Sequence, residues 1–96
     1  MYGTIARFHL KPGVEERLTK LVDSYAQLKI PGHLDTRVYR MDADSSDYYM
    51  VVAFEDKGSY VKNASNPDQD TRYRQMVELL QGDPEWHDGD IIFGGS

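Results

Sequence analysis

Apolar and polar positions along the chain recur at two periods, and the changes between them mark out the elements. The longest apolar run, Tyr48-Tyr49-Met50-Val51-Val52-Ala53-Phe54, is seven residues fenced by Asp47 and by Glu55-Asp56. Its length and its content of valine and aromatics predict a strand. Successive strand side chains point to opposite faces, so Tyr48, Met50, Val52 and Phe54 share one face and Tyr49, Val51 and Ala53 the other. Both sets are apolar, so both faces call for cover.

Taken in order, Tyr2–Leu10 predicts the first strand, with Thr4, Ala6, Phe8 and Leu10 on one face and Ile5, Arg7 and His9 on the other. Lys11-Pro12-Gly13 ends it with turn chemistry. Val14, Leu18, Leu21, Val22, Tyr25 and Leu28 then recur at steps of 4, 3, 1, 3 and 3, one apolar stripe at helical period. Glu15 and Glu16 favour the start of that helix and Lys29 its last turn, and Pro31-Gly32 stops it. His33–Met41 predicts a second strand, with Leu34, Thr36 and Val38 on one side, and the polar loop from Asp42 suggests a hairpin with the third. The stretch 56–66 is ambiguous between a short helix and a loop. Asn66-Pro67 is a good cap and first helical position, and Tyr73, Met76, Val77 and Leu80 form the stripe of the next helix, closed by Gly82. Asp83-Pro84-Glu85-Trp86-His87-Asp88-Gly89 has the composition of a turn, with Asp90-Ile91-Ile92-Phe93 as strand four and Gly94-Gly95-Ser96 a loose end.

The order is β-α-β-β-α-β, which predicts an α+β, ferredoxin-like antiparallel sheet with the helices on one face. The helices cover one face only. The simplest cover for the other is a second copy of the chain, that is, a homodimer.

The bulk numbers fit this picture. With 96 residues the chain, 1–96, is expected to be a single domain with one core, marginal alone. Hydrophobic content of 40% and charged content of 28% are those of a folded protein. A net charge of −5, with no Lys/Arg block longer than two, argues against nucleic acid or an anionic membrane as partner. No cysteine is present, so no thiolate nucleophile or metal ligand is available. The start runs straight into a strand pattern without an apolar leader, so a cytoplasmic location is expected.

With the elements laid out, the chain resembles the antibiotic biosynthesis monooxygenase-like (ABM) family of dimeric α+β barrels over nearly its whole length. The resemblance is carried by Gly3-Thr4-Ile5-Ala6-Arg7-Phe8 leading into Lys11-Pro12-Gly13, by Pro31-Gly32-His33 and Tyr39, and by Phe54-Glu55-Asp56, Tyr60, Asn66-Pro67 and Tyr73. The segment from Pro84 to Gly89 looks like that of a small subgroup. The resemblance implies a homodimeric barrel with a cavity in each subunit between sheet and helices. Relatives include cofactor-free oxygenases of aromatic polyketides or quinols, haem-degrading enzymes, and members with no established activity. The haem-degrading branch has an Asn on strand one, a Trp ending strand three and a His on its last helix. Here Ala6 and Phe54 stand at the first two places and the helical stripe has no His, which disfavours haem.

Within that frame His33, at the mouth of strand two, is the candidate base for a phenol or quinol, since an imidazole titrates near neutrality; the plainer reading is an exposed loop histidine. Tyr60 and Tyr73, two of seven tyrosines, are expected ligand contacts with Phe54, although most tyrosines fill cores and interfaces. Asn63 is placed to hold a peroxide or oxyanion and Arg72 a carboxylate, if they are not merely surface residues. His87, Asp88 and Asp90 are too few for a convincing metal shell, and Trp86 is expected to plug one end of the sheet. Arg7, if buried in the barrel, needs a partner; Asp35, Arg37 and Glu55 lie on strands that could reach it, and interface salt bridges are the expected use. No nucleophile elbow, phosphate loop or dinucleotide fingerprint occurs. An oxygenase of this composition is expected to need no cofactor and no metal: its deprotonated substrate would reduce oxygen directly. The alternative is a non-catalytic or stress-related protein that binds a small hydrophobic ligand in the same cavity.

Overall fold

The computed structural model of the chain describes residues 1–95. The elements are β1 (Tyr2–His9), α1 (Glu15–Ala26), β2 (His33–Arg40), β3 (Asp47–Phe54), α2 (Lys57–Ala64), α3 (Pro67–Val77) and β4 (Glu85–Asp90). The strands form one antiparallel sheet in the order β2-β3-β1-β4. This is the α+β, ferredoxin-like arrangement expected from the pattern. The long apolar run is β3, and it lies inside the sheet between β2 and β1, where a strand without polar alternation belongs.

The ambiguous stretch after β3 is a helix of its own. Asp56 caps α2 by accepting from the Ser59 N–H at 2.7 Å. Asn66 caps α3 by accepting from the Asp68 N–H at 2.9 Å, with Pro67 in the first turn. Each cap satisfies an amide that a helix start would leave bare. Helix α1 stops at Ala26, earlier than its stripe suggests, and Lys29 follows in a left-handed conformation with φ 51° instead of in the last turn.

Strand four is the main correction. It runs over Glu85–Asp90, pairing with Tyr2–Arg7, and Ile92 and Phe93 beyond it are 97% and 84% exposed. Pro84 and Gly89 have the composition of a turn, but at an edge strand one side of the backbone is free, so these residues cost little. The polar outer residues of β4 are tolerated for the same reason. Ser96, the last residue of the loose end, lies outside the described residues.

The core sits between the sheet and the helices. Phe8 and Leu10 of the β1 segment, Tyr48, Met50 and Phe54 of β3, Leu18 of α1 and Met76 of α3 are all buried there. Phe8 stacks parallel on Tyr48 at 6.0 Å. The opposite face carries Tyr49, Val51 and Ala53, with Ile5 50% and Tyr39 47% exposed. Arg7 on this face is half-exposed and pairs with Asp47 through two hydrogen bonds of 3.1 Å, not with Asp35 or Glu55. Arg7 stands opposite Tyr49, so Asp47 is its diagonal neighbour across the β1–β3 ladder. Arg37 pairs with Asp35 on its own strand at 2.9 Å.

Candidate functional site

The site is built from the middle of the sheet outward. In register, Thr36, Val52, Thr4 and Asp88 stand side by side across all four strands, on the face that carries the helices. Thr36, Val52 and Thr4 form part of the floor of a cavity of about 340 Å³. Val22, Tyr25 and Ile30 wall it on the α1 side, Tyr60 and Asn63 from α2, and Tyr73 and Met76 from α3. The lining is mainly apolar and aromatic, as ligand cavities are.

His33 enters the cavity through a backbone irregularity. Strand pairing passes from His33–Phe54 directly to Asp35–Ala53, so Leu34 is a bulge. A regular strand would put Leu34 opposite Phe54 and send His33 to the other face. The bulge reverses them: Leu34 is 48% exposed and His33 joins the cavity wall. The placement of Leu34 beside Thr36 and Val38 is thereby overturned. Gly32 supports the turn with φ +82°, a left-handed conformation, and a Cβ there would collide with the Ser59 side chain. The Gly32 carbonyl accepts from the Glu55 N–H at 2.8 Å, which fixes the strand start against β3. His33 Nε2 lies 2.6 Å from the Thr36 hydroxyl. We assign Nε2–H as the donor, which leaves Nδ1 as a free acceptor. The ring also packs edge-on against Phe54 at 5.5 Å.

Tyr60 packs against the same Phe54 at 5.6 Å and donates its phenolic proton to Asp88 at 2.9 Å. Burial, with the Asp88 carboxylate adding to it, pushes that phenol up to about 12, so it stays protonated. Tyr25 donates to the Arg72 carbonyl at 2.6 Å. Burial likewise raises it to about 12, against a smaller downward pull from the Arg72 charge. The Thr4 hydroxyl is buried and makes no hydrogen bond of sound geometry, although it lies close enough to Tyr60 to draw that phenol slightly down.

The structure thus brings His33, Phe54, Tyr60, Asn63 and Tyr73 around one cavity. Arg72 is outside it, in an adjoining groove of about 380 Å³ that shares Ile30 and Asn63 with the cavity. Its guanidinium lies over the Tyr25 ring at 5.7 Å and bonds Gln69 at 3.1 Å. Trp86 does not plug the sheet end. It lies opposite Ala6 in β4 and lines the cavity against Tyr73, ring centroids 5.8 Å apart. Its alternation with His87 and Asp88 would have shown this had Pro84 and Gly89 not suggested a turn. His87 faces away, 3.8 Å from Glu85, and among the described residues no three His, Asp or Glu side chains converge. Thr4, Tyr25 and Thr36 carried no motif that would single them out.

A cavity of this kind between a four-stranded sheet and its helices defines a class of small α+β domains. The sequence profile described as antibiotic biosynthesis monooxygenase matches residues 1–78, and the chain belongs to that family. Solved structures share the fold at low identity. A conserved protein from Methanosarcina mazei Go1 is 20% identical, with 92% of this chain and 89% of that one covered and a TM-score of 0.78. An Asn-to-Ala variant of SnoaB, a cofactor-independent oxygenase from Streptomyces nogalater, is 13% identical over 97% and 94%, with a TM-score of 0.81. Comparison with curated protein sequences gives no match. No described helix is long and apolar enough to cross a membrane.

Proposed function

We propose that the protein is a cofactor-independent monooxygenase of a small phenolic or quinol-like aromatic. The observation that carries this reading is His33, turned by a bulge into an aromatic cavity and held at Nε2 by Thr36. His33 Nδ1 takes the phenolic proton. The electron-rich anion passes one electron to oxygen, and the two radicals join at a ring carbon to form a peroxide. The O–O bond then breaks, one oxygen stays as a carbonyl and the other leaves as water. All four electrons come from the substrate, so no external reductant is needed. Phe54, Tyr60, Tyr73 and Trp86 surround the ring plane and exclude water. Asn63 offers an amide to the developing oxyanion. Arg72 attracts a substrate carboxylate to the groove beside the cavity. Tyr60 and Tyr25 remain protonated well above neutral pH with their protons engaged by Asp88 and the Arg72 carbonyl, so each offers a ligand its phenolic oxygen as an acceptor.

A second copy covers the outer sheet face, on which Ile5 and Tyr39 are about half exposed beside Val51 and Ala53.

The test is oxygen uptake with a panel of naphthols and hydroquinones, without added cofactor. The His33→Ala variant is expected to lose about 10²–10⁴-fold in turnover while binding is largely kept. Undiminished turnover would remove His33 as the base. Binding of the panel without turnover by the wild type would favour the ligand-binding reading instead.

A further inference from the structure

The hydroxyl of Thr4 is out of place in the free protein. Thr4 is 4% exposed, lines the cavity floor, and its Oγ1 has no hydrogen-bond partner among the described residues. Buried hydroxyls are rarely left so, because burial without a partner disfavours the folded state. Its polar neighbour Tyr60 gives its own proton to Asp88, and the Thr4 hydroxyl makes no bond of sound geometry to the phenolic oxygen that could accept from it. The strand position offers no remedy: Thr4 stands between Val52 and Asp88, and the nearer side chain across β3 is apolar.

The cavity therefore has two polar places on an apolar floor. One is His33 with Thr36 on β2; the other is Thr4 with Tyr60 on the β1 side. Thr36 and Thr4 lie in the same row, two strands apart, which is about 10 Å between backbones. Val52 fills the space between them. That separation suits the two ends of a fused aromatic system, with Phe54 packed along its edge.

We infer that Thr4 is a specificity-determining residue, whose hydroxyl bonds a second oxygen on the ligand, at the end remote from the oxygen that faces His33. The ligand class is a fused aromatic with an oxygen at each end. The inference rests on the cavity being the ligand site, as proposed above. It adds a selectivity: a ligand without the second oxygen leaves the hydroxyl buried and unpaired, so the site rejects it.

The experiment uses the full chain under anaerobic conditions. Three probes are compared: a naphthalenediol with one hydroxyl on each ring, the corresponding naphthol, and naphthalene. Binding is read from the fluorescence of Trp86, the only tryptophan, which lines the cavity, and by calorimetry. The wild type is expected to hold the diol about tenfold more tightly than the naphthol, the worth of one buried hydrogen bond. Thr4→Val, which keeps the shape and removes the hydroxyl, is expected to abolish that preference without lowering Tm; Thr4→Ser is expected to restore it. A diol preference that survives in Thr4→Val overturns the inference. So does a lowered Tm, which would mean that the hydroxyl is bonded within the protein. Wild-type binding with no preference overturns it while leaving the cavity reading intact. If the wild type binds none of the probes, the cavity reading falls, and this inference with it.

Discussion

The two faces of the sheet are made by the same four strands and differ in almost everything else. The helix-side face is mainly apolar and covered by the helices, and its polar groups sit in short local devices: His33 with Thr36, Tyr60 with Asp88, Tyr48 and Arg40 with Glu15, and Thr4 with no partner among the described residues. The outer face is open, and its charges are paired side to side along the surface, Arg7 with Asp47 and Arg37 with Asp35. The difference shows what burial does to polar chemistry. On the helix-side face a buried unpaired hydroxyl or a raised phenol has an energetic meaning, because burial limits the water that could replace a missing partner. On the open face the same groups would be solvated and nearly silent.

The largest effect that would sharpen this contrast is in stability. Phe8, fully packed on the helix-side face against Tyr48, should cost about 3–5 kcal/mol when replaced by Ala. Its neighbour on the opposite face, Ile5, half exposed, should cost less than about 1 kcal/mol in an isolated chain. If a second copy covers that face, the Ile5→Ala cost grows and becomes dependent on protein concentration. Urea melts of both variants at two concentrations decide the matter. A cost for Ile5→Ala that stays small at every concentration would leave the outer face uncovered.

Next in size is an exchange between the faces. Exchanging the two residues, His33→Leu with Leu34→His, keeps the bulge and carries the imidazole out of the cavity. Turnover should fall about a hundredfold or more, as when a general base is removed, while the circular dichroism of the fold is retained. Full activity in the exchanged variant would show that the imidazole is not needed in the cavity.

The smallest effect is in alkaline solution. Tyr25 and Tyr60 have phenols raised from an ordinary 10 to about 12 by burial on the helix-side face. A raised folded value means that the native state holds these protons more tightly than the unfolded chain does. Their contribution to stability is therefore complete below pH 10 and is lost as pH rises through about 12. Phenolate absorbance should show Tyr25 and Tyr60 titrating late, with Tyr48 also held above the ordinary value by burial and by its bond to Glu15, and Tyr60→Phe should remove one of the late group. Seven tyrosines titrating together would contradict the buried environment.

Much of this architecture was legible in the sequence, because periodicity reports burial directly. The seven-residue run at Tyr48–Phe54 announced an inner strand with two apolar faces, and Asn66-Pro67 announced a helix start. His33, Tyr60, Asn63 and Tyr73 were drawn to one cavity through the elements that carry them. What escaped depends on register, which is a relation between distant segments. The pairing of Arg7 with Asp47 follows from how β1 lies against β3, and no local pattern reveals it. Trp86 escaped because Pro and Gly are strong signals of turns in isolation and weak ones at a sheet edge. Thr4 escaped because a threonine in a strand is ordinary until its surroundings are known.

The bulge at Leu34 has a consequence for how such a site changes over generations. Because Leu34 stands outside the ladder, loss of its codon still leaves His33 as the residue opposite Phe54, so the floor, the helices and the imidazole wall all survive it. A change of strand length at the bulge is thus absorbed, and exchanging the imidazole for an apolar side chain takes a substitution at position 33 itself.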